Sequence, residues 1–348
     1  MKVEFARVLV ALLLIVAGTT APAQKLSDLF ADDFDSAYIE SYKQELTTRF
    51  YTSRKYTNLE MEDQNAGASL RYHPNDRLNL GFGASYRAFT LNIGLNFPFI
   101  NHDDNLYGKT DYLDLQSHLL FRKFTVEFYL SAFRGYYLSN PETALAHYPD
   151  TTIFPQRRDL FSNNLGIVLY YIFNNQKFSY RAAFNQDERQ KKSAGSFLFG
   201  PAVYTVYAQG DSSLVPRDIY PEDFFTFYRP KSVRYAKALV CLGYAHNFVF
   251  KERWFIMLSM IAGTGLGNIT LSSDVENNAS QSEFNIGFTY TFRAGLGYNS
   301  RRFFAGFSYV NTSTSSPTPV DKTNVIFDAG NVRFNVAYRI PLRLGRTK

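Results

Sequence analysis

Between Glu283 and Asn299 the chain alternates without a break. The even positions read Phe284, Ile286, Phe288, Tyr290, Phe292, Ala294, Leu296 and Tyr298, while the odd positions read Glu283, Asn285, Gly287, Thr289, Thr291, Arg293, Gly295, Gly297 and Asn299. A strand sends successive side chains to opposite faces, so this segment predicts a strand with one apolar face and one polar or small face. At ~3.3 Å per residue its length is ~50 Å, well beyond an ordinary strand. The same period runs through 78–86, 89–97 and 331–340. Noisier strands are predicted at 46–61, 66–73, 110–121, 124–137, 160–173, 178–185, 196–208, 235–250, 254–267 and 303–311. No stretch beyond the N-terminus sustains a helical period.

Two architectures use such alternation. A soluble sandwich turns its apolar faces inward, whereas a transmembrane barrel turns them to lipid and keeps polar groups in the lumen. The short turns favour the barrel. Arg87-Ala88 is flanked by Tyr86 and Phe89, Arg122-Lys123 by Phe121 and Phe124, and the turn at 174–177 by Phe173 and Phe178. The turn at 251–253 lies between Phe250 and Trp254, and that at 299–302 between Tyr298 and Phe303. An aromatic pair at the base of each short turn reads as the girdle at one membrane face.

The other connections, 98–109, 138–159, 186–195, 209–232, 271–282 and 312–324, are long. Short turns at one end and long loops at the other match an outer-membrane barrel, the short turns being periplasmic. The expectation is therefore a single all-β antiparallel transmembrane barrel over 46–342, with a tail at 343–348. Pairing strands between the short turns leaves three candidates before Tyr86 and three between Phe178 and Phe250; Phe224 to Arg229 is a possible fourth. An even count of about 14 strands, within a range of about 12–16, is expected.

The N-terminus agrees. Lys2 and Arg7 precede the apolar run Val8 to Ala17, and Ala21-Pro22-Ala23 supplies the small residues of a signal-peptidase site. Residues 1–23 are expected to be a signal peptide, with a periplasmic segment at 24–45. Composition sharpens the exclusions. Aromatics reach 17%, which rules out a disordered chain, and a lone cysteine, Cys241, rules out an intramolecular disulfide. The basic residues behind the net charge of +6 are scattered, so no nucleic-acid footprint is present.

A two-residue loop at Arg122-Lys123 pairs positions whose numbers sum to about 245. His118 then faces Glu127, Gln116 faces Tyr129 and Asp114 faces Ser131, all toward the lumen. A carboxylate beside an imidazole can orient a general base, so His118 and Glu127 are the candidate catalytic pair. The plainer reading is a hydrogen-bonded lumen network. Ser131 completes no triad, because it lies four residues, over ~10 Å, along the strand from His118. The C-terminal strands aim Arg293, Arg333 and Arg339 inward, either as an anion-attracting ring or paired with the Asp114 and Glu127 wall. His73, His102, His147 and His246 show no metal-ligand spacing, and neither metal nor cofactor is expected. His246 falls on the apolar parity of its strand, which suggests a bulge or a misplaced strand boundary. GFGASY at Gly81 to Tyr86 lacks the third glycine of a dinucleotide fingerprint and reads as a strand with small lumen residues. Glu188, Arg189, Lys191 and Lys192 read as a solvated loop cluster.

The stretches SRKYT (Ser53 to Thr57), LRYHPNDRLNLGFGASYR (Leu70 to Arg87), GKTDYLDLQSHLLFRKF (Gly108 to Phe124), RGYYL (Arg134 to Leu138) and FSYRAAFNQDERQKKSAGSFLFG (Phe178 to Gly200) resemble the domain-of-unknown-function family 4421 of Bacteroidetes-type Gram-negative bacteria. The resemblance implies an outer-membrane barrel of unassigned activity and carries over no catalytic residue. The C-terminus runs past Ile340 as PLRLGRTK, where such barrels often end on an aromatic. Three functions are expected in order: a narrow or plugged channel or binding protein for small hydrophilic solutes; an outer-membrane enzyme acting on lipid or surface glycan; a component that binds a partner through its loops. Outer-membrane lipid is the expected surroundings.

Overall fold

The computed structural model describes residues 32–86, 89–97, 103–149, 153–273 and 280–341, without the side chains of 89–91, 96 and 116–118. The strands are β1 (Ile39–Ser41), β2 (Glu45–Asp63), β3 (Ala68–His73), β4 (Leu78–Tyr86), β5 (Phe89–Asn96), β6 (Asp111–Leu120), β7 (Phe124–Leu138), β8 (Gln156–Ile172), β9 (Glu188–Gln190), β10 (Ala194–Gln209), β11 (Ser232–Phe250), β12 (Trp254–Ser272), β13 (Gln281–Asn299), β14 (Phe303–Pro317) and β15 (Thr323–Pro341). Three single-turn helices, α1 (Asp104–Tyr107), α2 (Pro141–Ala144) and α3 (Arg181–Phe184), lie in connections.

The sheet closes on itself, which removes its edges over most of the circumference. β15 pairs with β14, and the antiparallel order continues through β13, β12, β11, β10, β8 and β7. β7 meets β3 at Leu138↔Tyr72, β3 meets β2, and β2 pairs with β15 from Glu45↔Pro341 to Asp63↔Thr323. The hydrogen-bonded ring thus holds ten strands. β4 and β5 hang from the lower half of β2, and β6 hangs from β7.

Two of the fourteen expected wall strands drop out, and β5 and β6, unpaired with each other among the described residues, stand outside the closed ring of ten. β3 and β4 lie end to end along one edge of β2, at Leu59↔Tyr72 and Thr52↔Leu80, so together they occupy one wall position. Between them stands Pro74, which has no N–H for a ladder. Residues 178–185 form no strand: both of their parities are buried, Arg181 included, so no face is left for the outer surface. Phe224 to Phe227 is a 3-10 turn, not a strand.

The alternation is inside-out relative to a soluble sandwich. Along β12, Trp254, Ile256, Leu258 and Met260 are exposed, while Phe255, Met257, Ser259 and Ile261 between them are buried. At the short-turn end the outward rings gather. Phe121 and Phe124 stack at 4.6 Å, and Trp254 meets Tyr298 edge-on at 5.2 Å. Phe178 is a correction to the girdle, since it is fully buried inside the barrel. His246 is another. β11 and β12 pair without a register shift through His246↔Leu258, and the ring faces outward, 3.1 Å from the Tyr244 hydroxyl.

The barrel fills its own interior. At the long-loop end, Leu214, Val215, Ile219, Phe224 and Phe225 of the 210–231 connection pack on inward Leu59, Met61, Tyr72 and Tyr235. The cap is tied down by Tyr72 Oη donating to Leu214 O at 2.6 Å and Phe225 N donating to Asp63 Oδ2 at 2.7 Å. At the short-turn end, β1 pairs with β9, joining the N-terminal segment to 173–193 inside the barrel. Asn299 donates to Ala182 O and Glu188 O, and Arg339 to Gln186 O, so the wall holds this plug through its backbone carbonyls. Glu188 is not solvated. It is fully buried, 2.5 Å from Arg122 and 3.5 Å from Arg181. Lys192 does reach solvent.

Candidate functional site in the barrel interior

Against the plug, Arg293 on β13 reaches Glu127 on β7 at 2.5 Å. The Tyr129 hydroxyl also donates to Glu127, and the Tyr180 ring lies 5.7 Å from the Arg293 guanidinium. The Tyr180 hydroxyl shares a 2.6 Å hydrogen bond with Ser259, and burial pushes its pKa up to about 12. Tyr170, Tyr204 and Leu239 fill the remaining section and are buried.

A second polar group lines the wall formed by β15, β2, β4 and β5. Register places Arg333 opposite Ser53, Ser53 opposite Asn79, and Asn331 opposite Lys55. Lys55 Nζ stands 3.0 Å from Asp114 on β6, and Tyr112 Oη donates to Asn79 at 3.0 Å. The Arg333 guanidinium lies 4.7 Å from the centre of the Tyr51 ring. A side chain at Gly81 would put its Cβ 2.2 Å from that ring, so the glycine makes room for Tyr51. Lys55, Asn79, Tyr112, Asn331 and Arg333 point inward yet stay partly exposed, whereas Tyr129, Val168, Tyr204 and Thr291 are buried. The accessible interior therefore lies against this wall.

The β6–β7 register is Asp114↔Ser131, Gln116↔Tyr129 and His118↔Glu127, as the two-residue loop dictates. The side chains of Gln116 and His118 lie outside the described residues. The Glu127 carboxylate serves Arg293 and Tyr129, an arrangement that holds two walls together. Ser131 is buried beside Asp114, whose own charge meets Lys55. The three arginines form no ring. Arg293 crosses the lumen, Arg333 sits on Tyr51, and Arg339 runs into the plug with its guanidinium 4.2 Å from the Tyr42 ring. Among the described residues no cluster of His, Cys, Asp and Glu is placed to hold a metal.

Sequence reasoning missed several inward cations, among them Lys55, Lys237 and Arg122. Lys55 was not legible from parity, since its register on β2 (Tyr51, Ser53, Thr57, Leu59, Met61) is no more polar than the opposite one (Thr52, Arg54, Asn58, Glu60). Lys237 on β11 is buried, donating to Ser315 O at 3.2 Å. Arg122 sits in a turn tip, where nothing in the sequence marks it as turned inward to Glu188.

A family model matches residues 33–340. The chain belongs to that family, described as Domain of unknown function (DUF4421). No curated protein matches this DUF4421 chain in sequence. Among solved structures it is similar to the outer membrane protease OmpT of Escherichia coli, at 7% identity and a TM-score of 0.35, over 86% of this chain and 98% of that one. It is also similar to the toluene transporter TodX of Pseudomonas putida, at 10% identity and a TM-score of 0.23, over 91% and 97%. A third is Ail, the attachment invasion locus protein of Yersinia pestis, at 13% identity and a TM-score of 0.17, over 84% and 98%. None of these likenesses bears on what the DUF4421 barrel does.

Proposed function

We propose that this DUF4421 chain is an outer-membrane barrel of a Gram-negative envelope that binds a small solute in its interior and does not conduct ions at rest. The outward apolar strands, the aromatic ring at one end and the shared end of β2 and β15 support the membrane setting. The short-turn end is then periplasmic. With β3 and β4 as one interrupted strand and β5 and β6 spanning the lower wall, twelve strands cross the periplasmic leaflet.

One observation carries the reading. The chain closes both mouths of its own barrel, with the 210–231 cap and the 173–193 plug, yet leaves Lys55, Asn79, Asn331 and Arg333 partly exposed inside. A porin needs an open section, whereas polar groups left accessible inside a closed barrel suit a polar occupant.

In a planar bilayer the folded protein is expected to show no stable conductance steps. A variant with the plug shortened to a tight turn and 212–229 deleted is expected to conduct. Stable steps from the intact chain would refute the closed barrel. Small carboxylates, sugars and amines are then screened for a rise in the temperature of the heat-modifiability transition. A flat response to all three would remove the solute-binding reading.

A further inference from the structure

The barrel wall is interrupted at one place. Among the described residues no hydrogen-bonded pairing joins β5 to β6, although each is fully paired on its other side, β5 to β4 and β6 to β7. The exposure pattern agrees. On β12 and over 287–299 of β13 alternate residues are buried or half-buried, but Asn92, Ile93, Gly94 and Leu95 of β5 are exposed in succession, on both faces. Across the gap Leu113 and Leu115 of β6 are 55% and 52% exposed, matching Ile93 and Leu95 at 56% and 53%.

The gap has a frame. Above it, Asn75 between β3 and β4 donates through Nδ2 to Gly108 O at 2.9 Å, and through its backbone N–H to Thr110 Oγ1 at 2.8 Å. Arg77 pairs with Asp104 of α1 at 3.0 Å. These bonds clasp the β3–β4 junction to the start of β6 and leave β5 out. Below the gap lies the short β6–β7 turn. Behind it lies the polar wall of Lys55, Asp114, Asn79, Tyr112 and Arg333.

Unpaired strand edges are not tolerated against lipid tails; they occur at membrane depth where they line a wetted cavity. An interruption leading to polar groups satisfies that condition, whereas one leading to a packed interior would not. With both mouths closed, this gap is also the direct route from outside to the recess. Its outer lip is apolar, and its inner wall carries two cations, Lys55 and Arg333, against one carboxylate, Asp114. That gradient suits a molecule with an apolar body and a negative head.

We propose that the β5–β6 gap is a lateral port through which a long-chain carboxylate passes between the bilayer and the recess at Lys55 and Arg333. The proposal rests on the solute-binding reading and adds the route and the substrate class.

The test uses the whole folded chain in lipid nanodiscs, with Cys241→Ser as background. Leu95→Cys and Leu113→Cys are joined after folding by a flexible bismaleimide. The control joins Leu296→Cys to Phe307→Cys, which face each other across the paired β13–β14 seam. Association of a pyrene-labelled dodecanoate is followed by stopped-flow fluorescence. Cross-linking β5 to β6 is expected to slow association at least tenfold, with the control unchanged. Equal rates in both would overturn the port while leaving solute binding in place. No saturable binding by the uncross-linked chain would overturn both. Arg333→Gln is expected to weaken the carboxylate at least fivefold and to leave the same-length alcohol unchanged. Equal binding of the carboxylate and alcohol by the parent chain would overturn the anionic-head assignment.

Discussion

Arg293 and Glu127 meet at 2.5 Å from opposite walls of the barrel, on β13 and β7, with β8, β10, β11 and β12 between them along the sheet. Both side chains are almost wholly buried, so each charge depends on the other for its solvation. Arg293→Met alone, or Glu127→Leu alone, is expected to cost about 3–5 kcal/mol by stranding the remaining charge. The double variant should recover most of that loss. Urea unfolding in lipid vesicles measures all three, and additive single losses would show that the pair is not coupled.

The two faces of β12 should respond oppositely to the same change in polarity. Met260→Arg, on the exposed apolar band, is expected to destabilise folding by about 2–4 kcal/mol if that band faces the bilayer midplane. Ser259→Ala beside it loses the hydroxyl partner of Tyr180 and should cost about 1 kcal/mol. Folding titrations into vesicles compare them. A neutral Met260→Arg would argue against lipid on that face.

Trp254 is the single tryptophan and stands among the outward rings of the short-turn end. Its fluorescence therefore reports one depth. Lipids brominated near the headgroup should quench it more strongly than lipids brominated near the chain ends. Equal quenching, or none, would contradict an interfacial girdle.

Asn75 is buried, and its amide holds Gly108 O and Asp104 together. Asn75→Ala should cost about 1–3 kcal/mol through the unsatisfied groups it leaves. The effect should be local: amide exchange in β6 is expected to rise, with β12 and β13 unchanged. Uniform loss of protection would mean that the clasp is not specific to this part of the wall.

Gly135 interrupts β7 at a register shift, with φ of +93° and the Lys109 carbonyl 2.2 Å from where a Cβ would stand. Gly135→Ala meets both a backbone conformation that other residues avoid and a steric clash, so it should destabilise by about 1–3 kcal/mol. Lowering of the heat-modifiability transition temperature measures it.

Much of the wall was legible beforehand. The predicted strand 78–86 is β4 to the residue, and the two-residue turn at Arg122-Lys123 set the β6–β7 register correctly. The plug was not legible. FSYRAAFN alternates like a strand, and local alternation cannot show that both faces will be buried. The pairing of β1 with β9 joins residues about 150 positions apart, for which no short-range signal exists. The recess was legible only in part. Asp114 and Arg333 followed from parity, but their closeness to Lys55 and Tyr51 depends on which strands become neighbours.

The sequence by itself determined the period of two, the outward apolar face, the positions of most strands and the end at which the aromatic rings collect. These are consequences of backbone geometry and of the alternation of apolar with polar side chains, and they act residue by residue. The tertiary structure alone decided the ring of ten, the break between β5 and β6, the closed mouths and the partners of the buried charges. Those depend on curvature and closure, which bring Arg293 to a carboxylate 166 residues away and fill the lumen with segments that locally resemble loops or one more strand.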